Sequence, residues 1–202
     1  MQRIEHRKHA RVPILNLTHK NGVECDVSLD MLQQATSLVV RTLMQRSGPA
    51  LATLSAFLKI YLSQLGLDAP FTGGLGSYKL YVLLAKHIEL NPARCNGSEG
   101  PLLGELLISF FDRYRRRKNF HEDLWVELEG VEAVHFDSVR NLSSVRLAFE
   151  RAYFILSEDR QRVVAEVEAE RARAGPRSAL ALLLNVKHLT MLREQVRARC
   201  RV

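Results

Sequence analysis

Apolar and polar residues alternate on either side of an Asn21-Gly22 dipeptide. Val12-Pro-Ile-Leu-Asn-Leu17 precedes it and Val23-Glu-Cys-Asp-Val-Ser-Leu29 follows. Asn-Gly between two such runs predicts a β-hairpin, because both residues tolerate the left-handed backbone of a tight two-residue turn. On the second strand Val23, Cys25, Val27 and Leu29 share one face, expected to be core. Glu24, Asp26 and Ser28 share the polar face, because successive side chains of a strand point to opposite sides.

From Asp30 the period becomes helical. Leu32–Met44 predicts a first helix, interrupted at Ser47-Gly48-Pro49, and Pro49 suits the first position of the next helix, where its missing N–H is not needed. Leu51, Leu54, Leu58, Leu62 and Leu65 then recur at helical spacing until Gly66, with Lys59 and Ser63 on the opposite face. Thr72-Gly-Gly-Leu-Gly-Ser-Tyr78 reads as a glycine-containing turn into a helix striped by Tyr81, Leu84 and Ile88, with Ser77 as its N-cap.

Asn91–Gly100 reads as a loop and Leu102–Tyr114 as a strongly apolar helix, with Phe110, Phe111 and Tyr114 as core. The basic run Arg115–Lys118 closes that helix, and the cluster Arg113–Lys118 is a solvated end or part of an RNA track. Trp125–Phe136 has mixed strand and loop character, and Val139–Leu156 predicts a helix with Val145, Phe149, Ala152 and Leu156 on one side. After Ser157 charge density rises: Glu158–Arg173 is helical, Gly175-Pro176 breaks it, and Ser178–Arg201 forms a last amphipathic helix. The fold class expected is mostly α with a small antiparallel β hairpin at the N-terminus.

The 202 residues suffice for one substantial core or two small ones, and 47% hydrophobic with 25% charged residues describes a globular chain. No apolar run approaches the roughly 18–20 residues that cross a bilayer, so no membrane association is expected. Met1–Arg11 is basic but has no apolar segment, which excludes a secretory signal and leaves an Arg-rich transit peptide as the lesser reading. Cys25, Cys95 and Cys200 lie far apart and the seven histidines form no HExxH, so reduced thiols and no zinc site are expected. A net charge of +7 favours polyanions such as RNA.

Three segments, in order, resemble the non-canonical poly(A) RNA polymerases of the TRAMP type, within the DNA polymerase β-like nucleotidyltransferase superfamily. Ala10-Arg-Val-Pro-Ile-Leu followed by Cys25-Asp-Val-Ser is similar to a family strand pair. Lys59 is followed thirteen residues later by Thr72-Gly-Gly-x-x-Ser-Tyr78. Leu103-Gly-x-Leu-Leu-Ile-x-Phe-Phe-x-x-Tyr114 with Asn119-Phe120 is similar to the PAP-associated region, and a weaker match follows near Ser138–Leu156. The resemblance covers about Ala10 to Ser157. It implies the end of a nucleotidyltransferase palm over residues 1–30, a helical central and PAP-associated domain over 31–157, and a charged helical extension over 158–202.

The resemblance implies template-independent transfer of a nucleotide from ATP to an RNA 3′ end, with Mg2+ or Mn2+ aligning the attacking and leaving oxygens. Read alone, Asp26 is a solvated residue on the hairpin's polar face; the resemblance makes it the third metal-binding carboxylate. Read alone, Lys59 is a solvent-facing helix lysine; the resemblance makes it a triphosphate contact, suited to that task as a point charge. Ser77 is implied at the phosphates, Tyr78 stacked on the incoming base, and Gly73 and Gly74 where backbone approaches the nucleotide. Nuclear localisation is implied, with the mitochondrion as alternative, and RNA-surveillance subunits are implied as partners.

Departures from the pattern are also legible. The family's first two carboxylates lie in a Gly-Ser…Asp-x-Asp segment, and no Asp-x-Asp occurs in the twenty-five residues before Asp26. The chain is therefore expected to be a fragment without transferase activity of its own, and its sheet to expose an edge and an apolar face. Gln33 stands near a ribose-contacting asparagine of relatives, and Ser63 where uridylyl-transferring relatives carry a lysine. A non-catalytic RNA- or partner-binding subunit, or a UTP-preferring transferase, are the alternative functions.

Overall fold

A computed structural model describes residues 3–7, 13–20, 24–27, 31–92, 102–170, 180 and 183–199. The chain divides into two compact units, one of Met1–Val39 with Val186–Val202 and one of Val40–Asn185. Both are built from helices and short antiparallel strands, as the period change predicts.

The first unit holds three antiparallel strands, β1 (Arg3–Arg7), β2 (Ile14–Thr18) and β3 (Glu24–Val27), in the order β1-β2-β3. The β2–β3 pair is the predicted hairpin, with Leu15 opposite Val27 and Asn16 opposite Asp26. Its Asn21-Gly22 turn lies outside the described residues. β1 is not foreseen by the pattern, because Arg-Ile-Glu-His-Arg carries a single apolar residue.

The expectation that the Cys25–Val27 face is core is corrected. Ile4 is 62%, Leu15 40% and Val27 38% exposed, whereas Asn16 on the other face is only 6% exposed. Alternation fixes which residues share a face but not which face is covered. The open apolar face anticipated for so small a sheet is this one.

Helix α1 (Met31–Gln64) begins in the first unit and continues in the second; it is kinked at Gly48, with φ 61° and ψ −157°, at the predicted Ser-Gly-Pro interruption. Its C-terminus is closed by Leu67 N–H to Leu62 O at 2.9 Å and Gly66 N–H to Ser63 O at 3.0 Å. Gly66 takes the left-handed conformation, φ 68°, that this double closure demands.

The rest of the second unit comprises α2 (Ser77–Glu89), α3 (Leu103–Tyr114), the hairpin β4 (Trp125–Leu128) with β5 (Val131–His135), and α4 (Leu142–Glu170). α3 packs on α4, and β4 on α2. The predicted stripes of α1 and α4 are buried but for one member: Leu51, Leu58 and Leu62 are fully covered, as are Val145, Phe149 and Ala152, whereas Leu65 lies past the end of α1 and is 41% exposed. Phe110 and Phe111 are core, as expected; Phe110 meets Phe149 edge-on at 5.4 Å and Tyr114 at 4.8 Å.

α4 begins at Leu142, three residues later than predicted, and runs unbroken past Ser157 to Glu170. The last helix, α5 (Val186–Arg199), belongs to the first unit. Residues 93–100 of the predicted loop and the Gly175-Pro176 break lie outside the described residues. No described helix is long and apolar enough to cross a membrane.

Candidate functional site

The site begins at the turn between α1 and α2. Pro70–Thr72 forms a single 3-10 turn, after which Gly73 adopts φ 90°. The chain then folds back on itself, with Gly74 N–H bonded to Ala69 O at 2.9 Å and Leu75 N–H to Leu67 O at 2.7 Å. A Cβ on Gly74 would stand 2.5 Å from Leu67 O, and one on Gly76 2.5 Å from Pro70 Cγ. Gly73 and Gly74 are buried, and their own close neighbours are Arg140 and Leu67.

Packing against Pro70 also sets where α2 starts. Gly76, at ψ 155°, is the N-cap and provides no side-chain hydrogen bond, so Ser77 is the first helical residue and not the predicted cap. No acidic residue occupies the first turn of α2. That end therefore presents backbone donors and the positive end of the helix dipole without a carboxylate to neutralise it.

Lys59 reaches this helix from α1. It is exposed, and its Nζ lies 6.0 Å from the centre of the Tyr81 ring. Tyr81 is one helical turn past Ser77, so the ammonium stands beside the opening turns of α2. Ser77 is exposed and Tyr78 half-buried, its phenol held above the usual range by burial and by the charge of Glu132.

The structure thus gathers Lys59, Gly73, Gly74, Ser77 and Tyr78 in the second unit. Asp26 lies on β3 in the first, opposite Asn16, and the disposition of its carboxylate is outside the described residues. Among the described residues no three His, Cys, Asp or Glu side chains are grouped so as to hold a metal ion.

Several site residues carry no periodic signal in the sequence. The segment after β5 grips the glycine turn: Asn141 N–H donates to Gly73 O and Asn141 Nδ2 to Thr72 O, both at 2.9 Å. Arg140 Nη2 donates to Phe71 O at 2.9 Å, and Lys79 Nζ to Ser138 Oγ at 2.6 Å. Lys79 also lies 5.4 Å over the Phe136 ring; burial lowers its amine while Asp137 opposes that shift. The weak match near Ser138–Leu156 is the one sequence signal that points here.

Taken as a fold, the chain has the architecture of a solved structure. It matches the solved polymerase core of TRAMP, a RNA surveillance complex, with a TM-score of 0.71 over 91% of this chain and 66% of that one, at 20% identity. Among characterised proteins, Poly(A) RNA polymerase CID14 of Cryptococcus neoformans is 30% identical over 116 residues, which is 56% of this chain and 15% of that protein. Poly(A) RNA polymerase gld-4 of Caenorhabditis elegans is 30% identical over 118 residues, 56% of this chain and 14% of that protein. Poly(A) RNA polymerase cid14 of Schizosaccharomyces pombe is 33% identical over 118 residues, 56% of this chain and 17% of that protein.

The matches therefore span about one-sixth of the length of these relatives. No protein-family profile matches the chain. The resemblance to the non-canonical poly(A) polymerases is borne out, and all three relatives are by name poly(A) RNA polymerases.

Proposed function

We propose that this chain carries the nucleotide-contacting helical part of an enzyme that adds nucleotides from ATP to RNA 3′ ends. The observation that carries the reading is the placement of Lys59 over Tyr81, one turn along α2 from its uncapped start at Ser77. A triphosphate lying there meets a point charge on one side and a helix N-terminus on the other, two devices that both favour anions. Tyr78 offers its ring to the base, and stacking of this kind is worth about 1–3 kcal/mol.

In this reading β1–β3 are the end of a palm, and Asp26 is one ligand of the divalent ions that align the reacting oxygens. The described residues do not themselves complete such a site. A nuclear protein acting with RNA-surveillance subunits follows from the same reading.

The test is titration of the purified chain with a fluorescent ATP analogue, read as anisotropy. Binding is expected, weakened at least several-fold in Lys59→Ala, with unlabelled ATP displacing the probe at lower concentration than UTP. The reading fails if the chain binds no nucleotide, or if Lys59→Ala and Tyr78→Ala both bind as the parent does.

A further inference from the structure

At the opposite end of α2 lies a second concavity, with a volume of about 290 Å³, lined by Lys86, Leu90, Arg113, Asn119, Trp125 and Glu127 among others. Lys86 is nine residues past Ser77, so the cleft stands about 14 Å along the helix axis from the nucleotide-facing end. Its most unusual wall is Trp125. The indole is 59% exposed and stacked on the His135 ring across the hairpin, at 6.4 Å between centres and 30° between planes. A large aromatic held flat by a neighbour and open on its other side is a stacking platform.

The polar groups around it are of two kinds. Arg113 is exposed and, among the described residues, has no carboxylate partner; its guanidinium lies 5.8 Å from the Tyr114 ring. Lys86 meets Glu89 only at 3.4 Å, a surface contact too weak to occupy the ammonium. These two cations suit phosphates. Glu127 shares the exposed face of β4 with Trp125, and its carboxylate only accepts hydrogen bonds, so it suits the exocyclic amine of a base.

We propose that this cleft binds one base of a single-stranded RNA, stacked on Trp125, with Lys86 and Arg113 on the flanking phosphates. The proposal rests on RNA being the acceptor, and it supplies what the nucleotide end of α2 lacks, a remote grip on the strand being extended.

Trp125 is the only tryptophan of the chain, so intrinsic fluorescence reports on this cleft alone. Oligo(A) of about twelve nucleotides, added to the full chain, is expected to quench the indole, whereas ATP is not. Measured by anisotropy of labelled oligo(A), Trp125→Ala and Arg113→Ala should each weaken binding on the order of fivefold or more, and Trp125→Phe should restore most of it. Binding of oligo(A) without quenching, or unchanged affinity in Trp125→Ala, would overturn the proposal and leave the cleft to a protein segment. Absence of oligo(A) binding beside intact ATP binding also overturns it, while sparing the nucleotide reading. Quenching by oligo(A) in a chain that binds no ATP would support the cleft and remove that reading.

Discussion

Asn141 holds Gly73 and its neighbour by two hydrogen bonds at once, one from its backbone N–H to Gly73 O and one from its side-chain amide to Thr72 O, each 2.9 Å long. The two residues are sixty-eight positions apart, and the contact fixes the turn that delivers Ser77 and Tyr78. Replacing Asn141 by Ala removes one of the two bonds, at a cost of about 1 kcal/mol. Asn141→Asp should cost more, since a carboxylate cannot donate and would face the Thr72 carbonyl. Thermal melts of the two variants give the ranking, and equal melting temperatures would discount the contact.

The glycines separate into two classes. A Cβ at Gly74 collides with Leu67 O, which is backbone and cannot yield, so Gly74→Ala should destabilise by about 1–3 kcal/mol. Gly104, in the first turn of α3, has open space where a methyl group would stand, with nothing within 4 Å, and Gly104→Ala should stabilise by up to about 1 kcal/mol. Chemical denaturation of the pair checks both signs.

Burial pushes the Tyr61 and Tyr114 phenols up to about 12, against the smaller opposing influences of Arg151 and Arg113 respectively. Their hydroxyls donate to Ala148 O at 2.8 Å and Leu83 O at 3.3 Å. Between pH 10 and 12 the folded chain therefore keeps protons that the unfolded chain releases, and stability falls as pH rises through that interval. An absorbance titration should show Tyr61 and Tyr114 ionising last of the five tyrosines, or only on unfolding. Simultaneous ionisation near pH 10 would contradict their burial.

At the acid end the relevant group is Asp112. Partial burial raises its carboxyl, but hydrogen bonds and charges from Arg116 and Arg115 outweigh that and hold it below the usual range. A depressed carboxylate stabilises the fold above its unfolded value, near 3.9, and that contribution disappears as pH falls through the folded one. Asp112→Asn should melt lower than the parent at pH 5–6, with the gap closing toward pH 2. A gap that stays constant across that range would mean the arginines contribute nothing through charge.

The stripes of α1 and α4 are legible because burial on one side of a helix leaves a 3.6-residue period, and Leu51, Leu58, Val145 and Phe149 follow it. The Lys59-to-Thr72 spacing is legible only as a resemblance; nothing in periodicity distinguishes Lys59 from any solvated lysine. The Asn141 and Arg140 contacts are not legible, since hydrogen bonds to turn carbonyls across some seventy residues impose no local pattern. Capping preference places the start of α2 one residue away from the true cap at Gly76, because packing on Pro70 decides it instead. The sheet's covered face escapes the pattern because alternation is symmetric between its two sides.

The fork of Arg115 and Arg116 on Asp112 has a consequence for ionic strength. Four consecutive cations, Arg115 to Lys118, suggest a strong electrolyte tail, yet Arg115 and Arg116 share one carboxylate at 2.7 and 2.8 Å, which offsets a single unit of their charge. Three units of net positive charge therefore remain on the run to displace counterions from a polyanion. Each phosphate engaged on a single strand changes the slope of log affinity against log salt by about 0.7. The run should thus contribute roughly three quarters of the salt sensitivity that its composition suggests.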